Sequence, residues 1–360
     1  MKKIILILVI ALSLNIFAND GAYLSHGGVI FPINENNISM EKEILSFKVR
    51  DEICYVNVQF TFNNPKNEYQ KLLVGFQAPG PFGDLDQKDK GNGIKGFTIF
   101  YENKIVPYEL KRAHDEDGKL YSLKDFVPED VEENSGIYVY LFEIEFKPGL
   151  NIVNHSYSFP ASTNVIIKNM YNYILTTGAR WADNTIKNLT IEIDMGNNQY
   201  FYVEDIFENK AKWSIIGTGK IVDKNIAGLE DNYLKMIRII SGYLKIELNN
   251  FTPKANIDFG IINEKTFAMA GFVNTDIEKK LSELEYYNDE NDYSKEQLKF
   301  FRNAIYAKYG YDFKDQSLKK LYSQYEWYIP NPNLDINEIN MTQLDNELLR
   351  KIMEQEKLMK

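Results

Sequence analysis

The sequence contains one cysteine in 360 residues, Cys54, so it excludes an internal disulfide. A chain of this length does not need one, because it can bury enough apolar surface to fold without cross-links. Cys54 begins an alternating run that continues through Val56, Val58, Phe60 and Phe62. This period of two predicts that Cys54 points inward from a β-strand as a small hydrophobic residue, and it argues against a reactive thiol.

Positive charge is also scarce. The chain has 41 Lys and Arg against 51 Asp and Glu, and its formal net charge is −10. Nucleic acids and anionic lipid surfaces bind proteins through a basic face. The charge balance therefore argues against a nucleic-acid partner, although acidity alone identifies no other partner.

Long apolar runs are absent after the N-terminus. Lys2 and Lys3 precede the uncharged residues 4–14, and Ala18 is a suitable last residue before cleavage. A short basic region, a short apolar region and a small residue are typical of a secretory signal peptide, here residues 1–18. The apolar run is shorter than the roughly 20 residues that span a bilayer, which disfavours an uncleaved anchor. We expect a chain exported to the periplasm or the cell exterior, with no transmembrane segment after signal removal.

Local catalytic motifs are missing as well. Ser25-His26-Gly27-Gly28 resembles the oxyanion loop of some esterases, but the Gly-x-Ser-x-Gly elbow is absent. His26, His114 and His155 are scattered, and no His-Glu-x-x-His motif offers a zinc site. The sequence therefore predicts no catalytic residue and no cofactor, and it favours a protein that is not an enzyme. A hydrolase with a carboxylate or histidine site assembled only by the fold leaves no local trace, so it stays an alternative.

Two acidic loops are weak candidates for calcium binding. Their acidic residues precede Gly91-Asn92-Gly93 in the first loop and Gly118 in the second; they are Asp84, Asp86 and Asp89, and Asp115 and Asp117. A calcium-binding EF-hand loop closes with a bidentate Glu at its twelfth position. Counted from Asp115, that position is Phe126. The favoured interpretation is a pair of solvated turns.

Residues 19–260 have the pattern of a β-rich body. Residues 137–146 and 152–159 alternate in polarity on either side of Lys147-Pro148-Gly149, which is the pattern of an antiparallel hairpin. Further short runs of β-branched and aromatic residues follow, as in antiparallel sandwiches. The length of the body indicates a possible subdivision near 150–170. Its clustered tyrosines, favoured as core over an exposed binding platform, are Tyr138, Tyr140, Tyr157, Tyr171 and Tyr173.

The C-terminal part changes from strand to helix periodicity. Residues 261–289 read as a linker with a short helix, and residues 290–360 as a small all-α module. Ser294 and Gln297 have the spacing of a capping box at the start of one helix, and Gly310 is placed to end it. A second helix is predicted over residues 316–325, and Thr342 is predicted to cap the last one.

The helical segment carries the residues of a known family. Residues 302–313 read Arg-Asn-Ala-Ile-Tyr-Ala-Lys-Tyr-Gly-Tyr-Asp-Phe, followed by Trp327-Tyr328 and Pro330-Asn331-Pro332. This segment resembles the YARHG domain, a small module of exported bacterial proteins. The naming pentapeptide Tyr-Ala-Arg-His-Gly stands here as Tyr-Ala-Lys-Tyr-Gly over residues 306–310. The resemblance implies no established ligand or catalytic role.

The β-rich body resembles an uncharacterised family of exported bacterial β proteins, a domain of unknown function. The resemblance lies in Gly27-Gly28-Val29, in residues 38–64 and in residues 173–181. It implies export and a β fold, and it implies no activity.

Five residues of the helical module are candidates for binding: Arg302, Lys308, Tyr309, Trp327 and Tyr328. A structural role competes with this hypothesis. Arg302 and Asn303 could bridge the helix to the Trp-Tyr loop, and Trp327 could close a small core, since a module of ~70 residues needs such anchors.

The leading functional hypothesis is an exported binding or scaffold protein of the bacterial cell envelope, with no enzymatic activity. The β body would be its main binding unit and the helical module an accessory interaction domain. A protein or glycan component of the envelope would be the partner. The alternatives are the envelope hydrolase and a structural envelope component that assembles with itself.

Overall fold

The structure is a computed structural model. It describes residues 26–28, 30–33, 37–79, 93–113, 137–163, 167–207, 211–223, 234–262, 293–325 and 327–359. The predicted signal peptide, both acidic loops and most of the predicted linker, from residue 263 onward, lie outside these ranges. None of the helices within them is long and apolar enough to cross a membrane.

Strands form the first part of the chain and helices the last part. The strands are β1 (His26–Gly28), β2 (Phe31–Pro32), β3 (Ser39–Arg50), β4 (Ile53–Asn64), β5 (Gln70–Pro79), β6 (Lys95–Tyr101), β7 (Lys104–Ile105), β8 (Glu109–Ala113), β9 (Ile137–Phe146), β10 (Gly149–Pro160), β11 (Ile167–Ile174), β12 (Ala182–Asp194), β13 (Gln199–Glu204), β14 (Ser214–Asp223), β15 (Leu234–Phe251) and β16 (Ile257–Ile262). The helices are α1 (Lys295–Lys308), α2 (Gln316–Tyr322) and α3 (Gln343–Leu358), with short 3-10 helices at Thr176–Arg180 and Ile336–Glu338. This order confirms the predicted mainly β body and small helical module.

The strands form two sheets. The twelve-stranded sheet has the order β1-β11-β16-β13-β15-β12-β3-β4-β10-β6-β7, and β14 pairs with β15 beside this path. The four-stranded sheet has the order β2-β5-β9-β8. Most described pairs are antiparallel, and the parallel ones are β1 with β11 and β3 with β12. The predicted hairpin through Pro148-Gly149 instead joins the two sheets, because β9 pairs with β5 and β10 with β4.

The two sheets share one apolar core. Phe146 of β9 contacts Phe62 of β4 with ring centroids 5.6 Å apart, and Phe76 of β5 contacts His155 of β10 at 5.2 Å. The cluster of buried side chains extends from Ile30 to Phe259, across the position near 150–170 where the sequence indicates a subdivision. The subdivision therefore stays a prediction.

Alternation predicted the inward residues of the body well. Cys54 is buried, and burial raises the pKa of its thiol well above its usual range. Of the clustered tyrosines, Tyr138 is partly buried against the core, and the others are fully inside; they are Tyr140, Tyr157, Tyr171 and Tyr173. These residues are core rather than an exposed platform.

The helical module has its own core and the predicted caps. The Ser294 side chain accepts a hydrogen bond from the Gln297 backbone, and the Gln297 side chain accepts one from the Ser294 backbone. Gly310 ends α1 with a φ of +81°, and a Cβ there would lie 2.9 Å from the Ile329 carbonyl oxygen. The same Cβ would lie 3.5 Å from Ile240 Cγ2, so this turn of the module touches β15.

Two expectations for the module were wrong. The second helix ends at Tyr322 rather than Tyr325, because Ser323 already has the C-cap position. Among the described residues, Arg302 and Asn303 form no hydrogen bond to the Trp-Tyr loop. Arg302 instead pairs with Glu356 on α3, and the Asn303 amide donates to the Lys299 carbonyl within α1.

One carboxyl group lies inside the body. Glu43 on β3 is fully buried, and its Oε1 accepts a hydrogen bond from the Tyr173 hydroxyl at 3.2 Å. Its Oε2 has no hydrogen-bond partner among the described residues. Burial raises the pKa of Glu43 to about 8, so the folded protein holds this side chain protonated at neutral pH.

Glu43 should make the fold less stable in alkaline solution. Its pKa is raised above the ordinary value of 4.5, so its stabilising contribution is complete below pH 4.5 and is lost as the pH rises through about 8. Glu43→Gln keeps an uncharged hydrogen-bonding group. We expect the fall in unfolding free energy between pH 5 and pH 9 to be smaller in this variant by about 4 kcal/mol.

Urea unfolding at the two pH values measures this difference. Glu247→Gln, on the exposed surface of β15, is the matched control and should behave as the wild type. The same pH dependence in Glu43→Gln and the wild type would contradict a protonated, buried Glu43.

Candidate functional site

The solvent face of the large sheet has a band without charged residues. Its side chains form two rows across β6, β10, β4 and β3. In strand order, one row is Thr98, Ser156, Asn57 and Ser46, and the other is Phe100, Asn154, Gln59 and Ile44. We call these eight residues the uncharged strip. In a chain with 26% charged residues, the solvent face of an antiparallel sheet usually carries Lys and Glu at such positions.

The uncharged strip lines a groove of about 430 Å³. Its lining residues are Ile44, Ser46, Asn57, Val58, Gln59, Phe100, Asn154, His155 and Ser156, all of them described. None of these belongs to the Asp, Glu, Lys or Arg types. The groove therefore combines an apolar floor and one aromatic wall with hydroxyl and amide groups.

The strip is partly organised by its own hydrogen bonds. Gln59 Nε2 donates to Asn154 Oδ1 at 3.1 Å, and the Thr98 and Ser156 hydroxyls lie 2.8 Å apart. An amide side chain has two donor hydrogens and an acceptor oxygen. These contacts fix the side chains of Gln59 and Asn154 while the Gln59 Oε1 and the Asn154 Nδ2 remain for a ligand. Within the described residues, Asn57 makes no side-chain hydrogen bond, so its whole amide is available.

Charged residues border the strip. The next row toward one end of the strands runs Lys95, Ser158, Tyr55 and Lys48. At the side, Ser46 Oγ donates to Glu192 Oε2 at 3.4 Å, and Glu192 lies 3.8 Å from the Lys245 ammonium. The neutral area is therefore limited to the groove and its edges.

The groove stays neutral over the usual pH range because His155 below it is buried. The His155 ring stacks with Phe60 at 5.5 Å and contacts Phe76 and Phe97 on the interior side. Burial lowers the pKa of His155 to about 3. Neither ring nitrogen has a hydrogen-bond partner in the described part of the chain. The imidazole therefore behaves as an aromatic core residue.

The predicted binding residues of the helical module occupy three places. Lys308 and Tyr309 meet at Asp345 near the start of α3, where the Tyr309 hydroxyl donates to Oδ2 and Lys308 Nζ lies 3.3 Å from both oxygens. Trp327 and Tyr328 lie in the aromatic core around Tyr322. The Trp327 side chain is 8% exposed, and the Tyr328 hydroxyl donates to the Tyr311 carbonyl at 3.0 Å.

Arg302 lies apart from these four residues and pairs with Glu356 at 2.5 Å. The structure thus gives each of the five candidates a contact inside the module. A binding role for them stays a prediction. It is most compatible with Arg302, which is partly exposed and lines a groove.

No metal site emerges from the described ranges, in which no three His, Cys, Asp or Glu side chains come close enough together to hold an ion. The calcium candidates lie outside these ranges: Asp84, Asp86, Asp89, Asp115 and Asp117. Their proposed role stays a prediction.

Sequence reasoning missed the uncharged strip. The polar positions of β4 alternate visibly, so Asn57 and Gln59 were identifiable as solvent-facing. Their neighbours in the groove come from β6 and β10, however, and Asn154 is 95 residues away from Gln59. Only the strand register brings these groups together.

Residues 276–357 match the YARHG domain family, as the sequence resemblance indicated. Two similar solved structures are a "putative nutrient binding protein" from Legionella pneumophila and an M1 zinc metallopeptidase from Deinococcus radiodurans. The first is 20% identical, covering 93% of this chain and 99% of that chain, with a TM-score of 0.46. The second is 9% identical, covering 63% and 43% of the two chains, with a TM-score of 0.26. No curated protein matches the chain in sequence. Neither structural similarity is close enough to assign a function.

Asp345 should stabilise the helical module, because it is 3% exposed and accepts hydrogen bonds from Tyr309 and from the Thr342 hydroxyl. Asp345→Ala leaves the hydroxyl of the buried Tyr309 without its acceptor and removes the contact with the Thr342 hydroxyl. We expect a loss of roughly 2–4 kcal/mol and faster hydrogen exchange in α1 and α3.

Hydrogen–deuterium exchange on the full chain measures the effect, and Glu347→Ala on the exposed side of α3 is the control. Exchange in Asp345→Ala that matches the control would show that Asp345 does not hold α1 and α3 together.

Proposed function

We propose that the protein is an exported, non-enzymatic binding protein of the bacterial cell envelope, and that its β body binds a neutral glycan in the groove of the uncharged strip. In this proposal residues 1–18 are a signal peptide, residues 19–260 the binding body, residues 261–289 a linker with a short helix, and residues 290–360 an accessory interaction module. The match to the YARHG family, a module of exported bacterial proteins, supports export.

The observation that carries the proposal is the chemistry of the groove. Its amides and hydroxyls can donate and accept hydrogen bonds in many combinations, as the hydroxyl groups of a sugar require. Half-buried Phe100 provides an apolar surface beside them, suited to the C–H face of a sugar ring. An anionic polymer would find no cation among the lining residues and would meet a chain of net charge −10. A neutral polyhydroxyl ligand fits best.

A binding role is preferred over hydrolysis at this groove because none of its lining residues is a carboxylate. Glycosidases position two carboxyl groups on either side of the scissile bond. Glu192, at the edge of the strip, lies outside the lining of the groove and already contacts Ser46 and Lys245.

A second candidate, an envelope hydrolase, has one supporting observation elsewhere on the sheet. Burial raises the pKa of Asp258 to about 6, and burial together with the Asp258 charge raises the pKa of Glu204 to about 7. Such values suit acid–base catalysis. Both Asp258 oxygens, however, already accept hydrogen bonds, one from Tyr202 and one from Asn172. Asp258→Asn would abolish glycan cleavage if this candidate were correct.

Binding to neutral oligosaccharides tests the proposed function. The probes are malto-, cello- and N-acetylated chito-oligosaccharides, titrated into residues 19–360. Gln59→Ala/Asn154→Ala removes the two interacting amides of the groove. We expect binding to weaken at least tenfold, because each lost hydrogen bond contributes about 1 kcal/mol.

Thr61→Ala is the matched control, since Thr61 follows Gln59 on the same face of β4 and lies outside the lining of the groove. It should bind as the wild type does. Equal weakening in both variants, or unchanged binding in the double variant, would place the glycan elsewhere. Absence of binding to all three probe classes would argue against a neutral glycan as ligand.

A further inference from the structure

A second groove lies on the helical module, where the first turns of α1 run beside the last turns of α3. It has a volume of about 540 Å³. Its lining residues are Lys295, Glu296, Lys299 and Arg302 from α1, and Met353, Glu356 and Lys357 from α3. We call it the basic groove, because four of these seven residues are cationic and two are anionic.

The carboxylates Glu296 and Glu356 offset only part of the positive charge, because they face four cations. Glu356 is 14% exposed and is occupied by Arg302, whose Nη1 lies 2.5 Å from Glu356 Oε2. This pair fixes the guanidinium at the groove while leaving it 31% exposed. Lys295, Lys299 and Lys357 are exposed, and none of the three forms an ion pair with another described residue. A chain of net charge −10 thus carries a local positive area.

Helix stability does not explain these cations. Lys295, Lys299 and Arg302 follow one another at spacings of four and three residues, so they lie on one stripe of α1. Like charges at these spacings destabilise a helix by a few tenths of a kcal/mol. Lys295 also lies in the first turn, where the helix dipole disfavours a positive charge. Arg302 is compensated by its pair with Glu356, so the unfavourable charges in α1 are those of Lys295 and Lys299, which favours a role in binding for these two lysines.

The shape of the basic groove fits an extended chain of carboxylates. The eight residues from Lys295 to Arg302 span roughly 10 Å along the helix axis, the length of about three extended residues. A phosphate group prefers converging, bidentate arginines. Here the cations are spread out, and the one arginine already has a partner. Met353, 41% exposed, adds an apolar contact between them.

We propose that the basic groove binds an acidic peptide segment of a partner protein, with several Asp or Glu side chains and one apolar residue that contacts Met353. This site concerns the accessory role of the helical module in the proposed function, and it does not depend on the uncharged strip. Attraction between the groove and the segment is electrostatic, so binding weakens as salt screens it.

Fluorescence anisotropy of labelled peptides tests this proposal on residues 19–360. The probes are Glu-Glu-Leu-Asp-Glu and its neutral analogue Gln-Gln-Leu-Asn-Gln, at about 20 and about 200 mM salt, where the Debye length is roughly 20 Å and 7 Å. We expect the acidic peptide alone to bind, more weakly at the higher salt. Lys295→Gln/Lys299→Gln should weaken its binding about tenfold without lowering the melting temperature, because it removes a repulsive pair.

Lys314→Gln/Lys320→Gln is the control of equal charge, since both lysines are exposed on the module and outside the groove lining. This variant should change the Kd of the acidic peptide by less than about twofold, because salt screens charges that lie far from the groove. If both variants weakened peptide binding equally, the net charge of the protein alone would explain the loss, and the proposal would be overturned. Equal binding of the two peptides would overturn it as well.

Vesicles containing anionic phosphatidylglycerol separate the peptide from a membrane surface. Binding to these vesicles in the absence of peptide binding would contradict the proposal. Retention of oligosaccharides by Lys295→Gln/Lys299→Gln would show that the two sites are independent. If no glycan bound, the peptide assay would still test the basic groove, because the two assays use different surfaces and different variants.

Discussion

The register between β3, β4 and β10 determines both faces of the body. These strands are twelve residues long, and their antiparallel pairing places Glu43 beside Phe60 and Phe60 beside Val153 on the inner face. On the outer face the same pairing aligns the two rows of the uncharged strip. A slip of one residue would exchange the faces, burying amides and exposing phenylalanines. The aromatic core therefore fixes the geometry of the groove that we propose as the binding site.

The helical module is stabilised differently. A domain of this size buries little apolar surface, so individual polar contacts matter more than in the body. The buried Asp345 connects the end of α1 to the start of α3, and the Arg302–Glu356 pair connects the middle of α1 to the last turn of α3. Lys308 and Tyr309, which replace the arginine and histidine of the family pentapeptide, both contact Asp345. At these positions the motif contributes to folding, and the groove beside Arg302 is left for a partner.

Much of the fold could be predicted because its signals are local. The period of two located the inward face of β4, the spacing of Ser294 and Gln297 located the start of α1, and Gly310 located its end. The predicted end of the second helix was wrong because the residues after Tyr322 are compatible with a helix, whereas in the structure Ser323 is already the C-cap residue. The groove could not be predicted, because its amides and Phe100 come from β4, β10 and β6, which are far apart in sequence and meet only through the register.

Side-chain amide resonances test the central claim most directly. Asn57, Gln59 and Asn154 each carry an NH2 group at the groove, and these signals can be followed in residues 19–360 while a neutral oligosaccharide is titrated. The account predicts that these three pairs of signals shift together and saturate with the binding curve, while the amide of Asn188, on β12 outside the groove lining, stays in place. Saturation of binding without any shift of the three groove amides would contradict it.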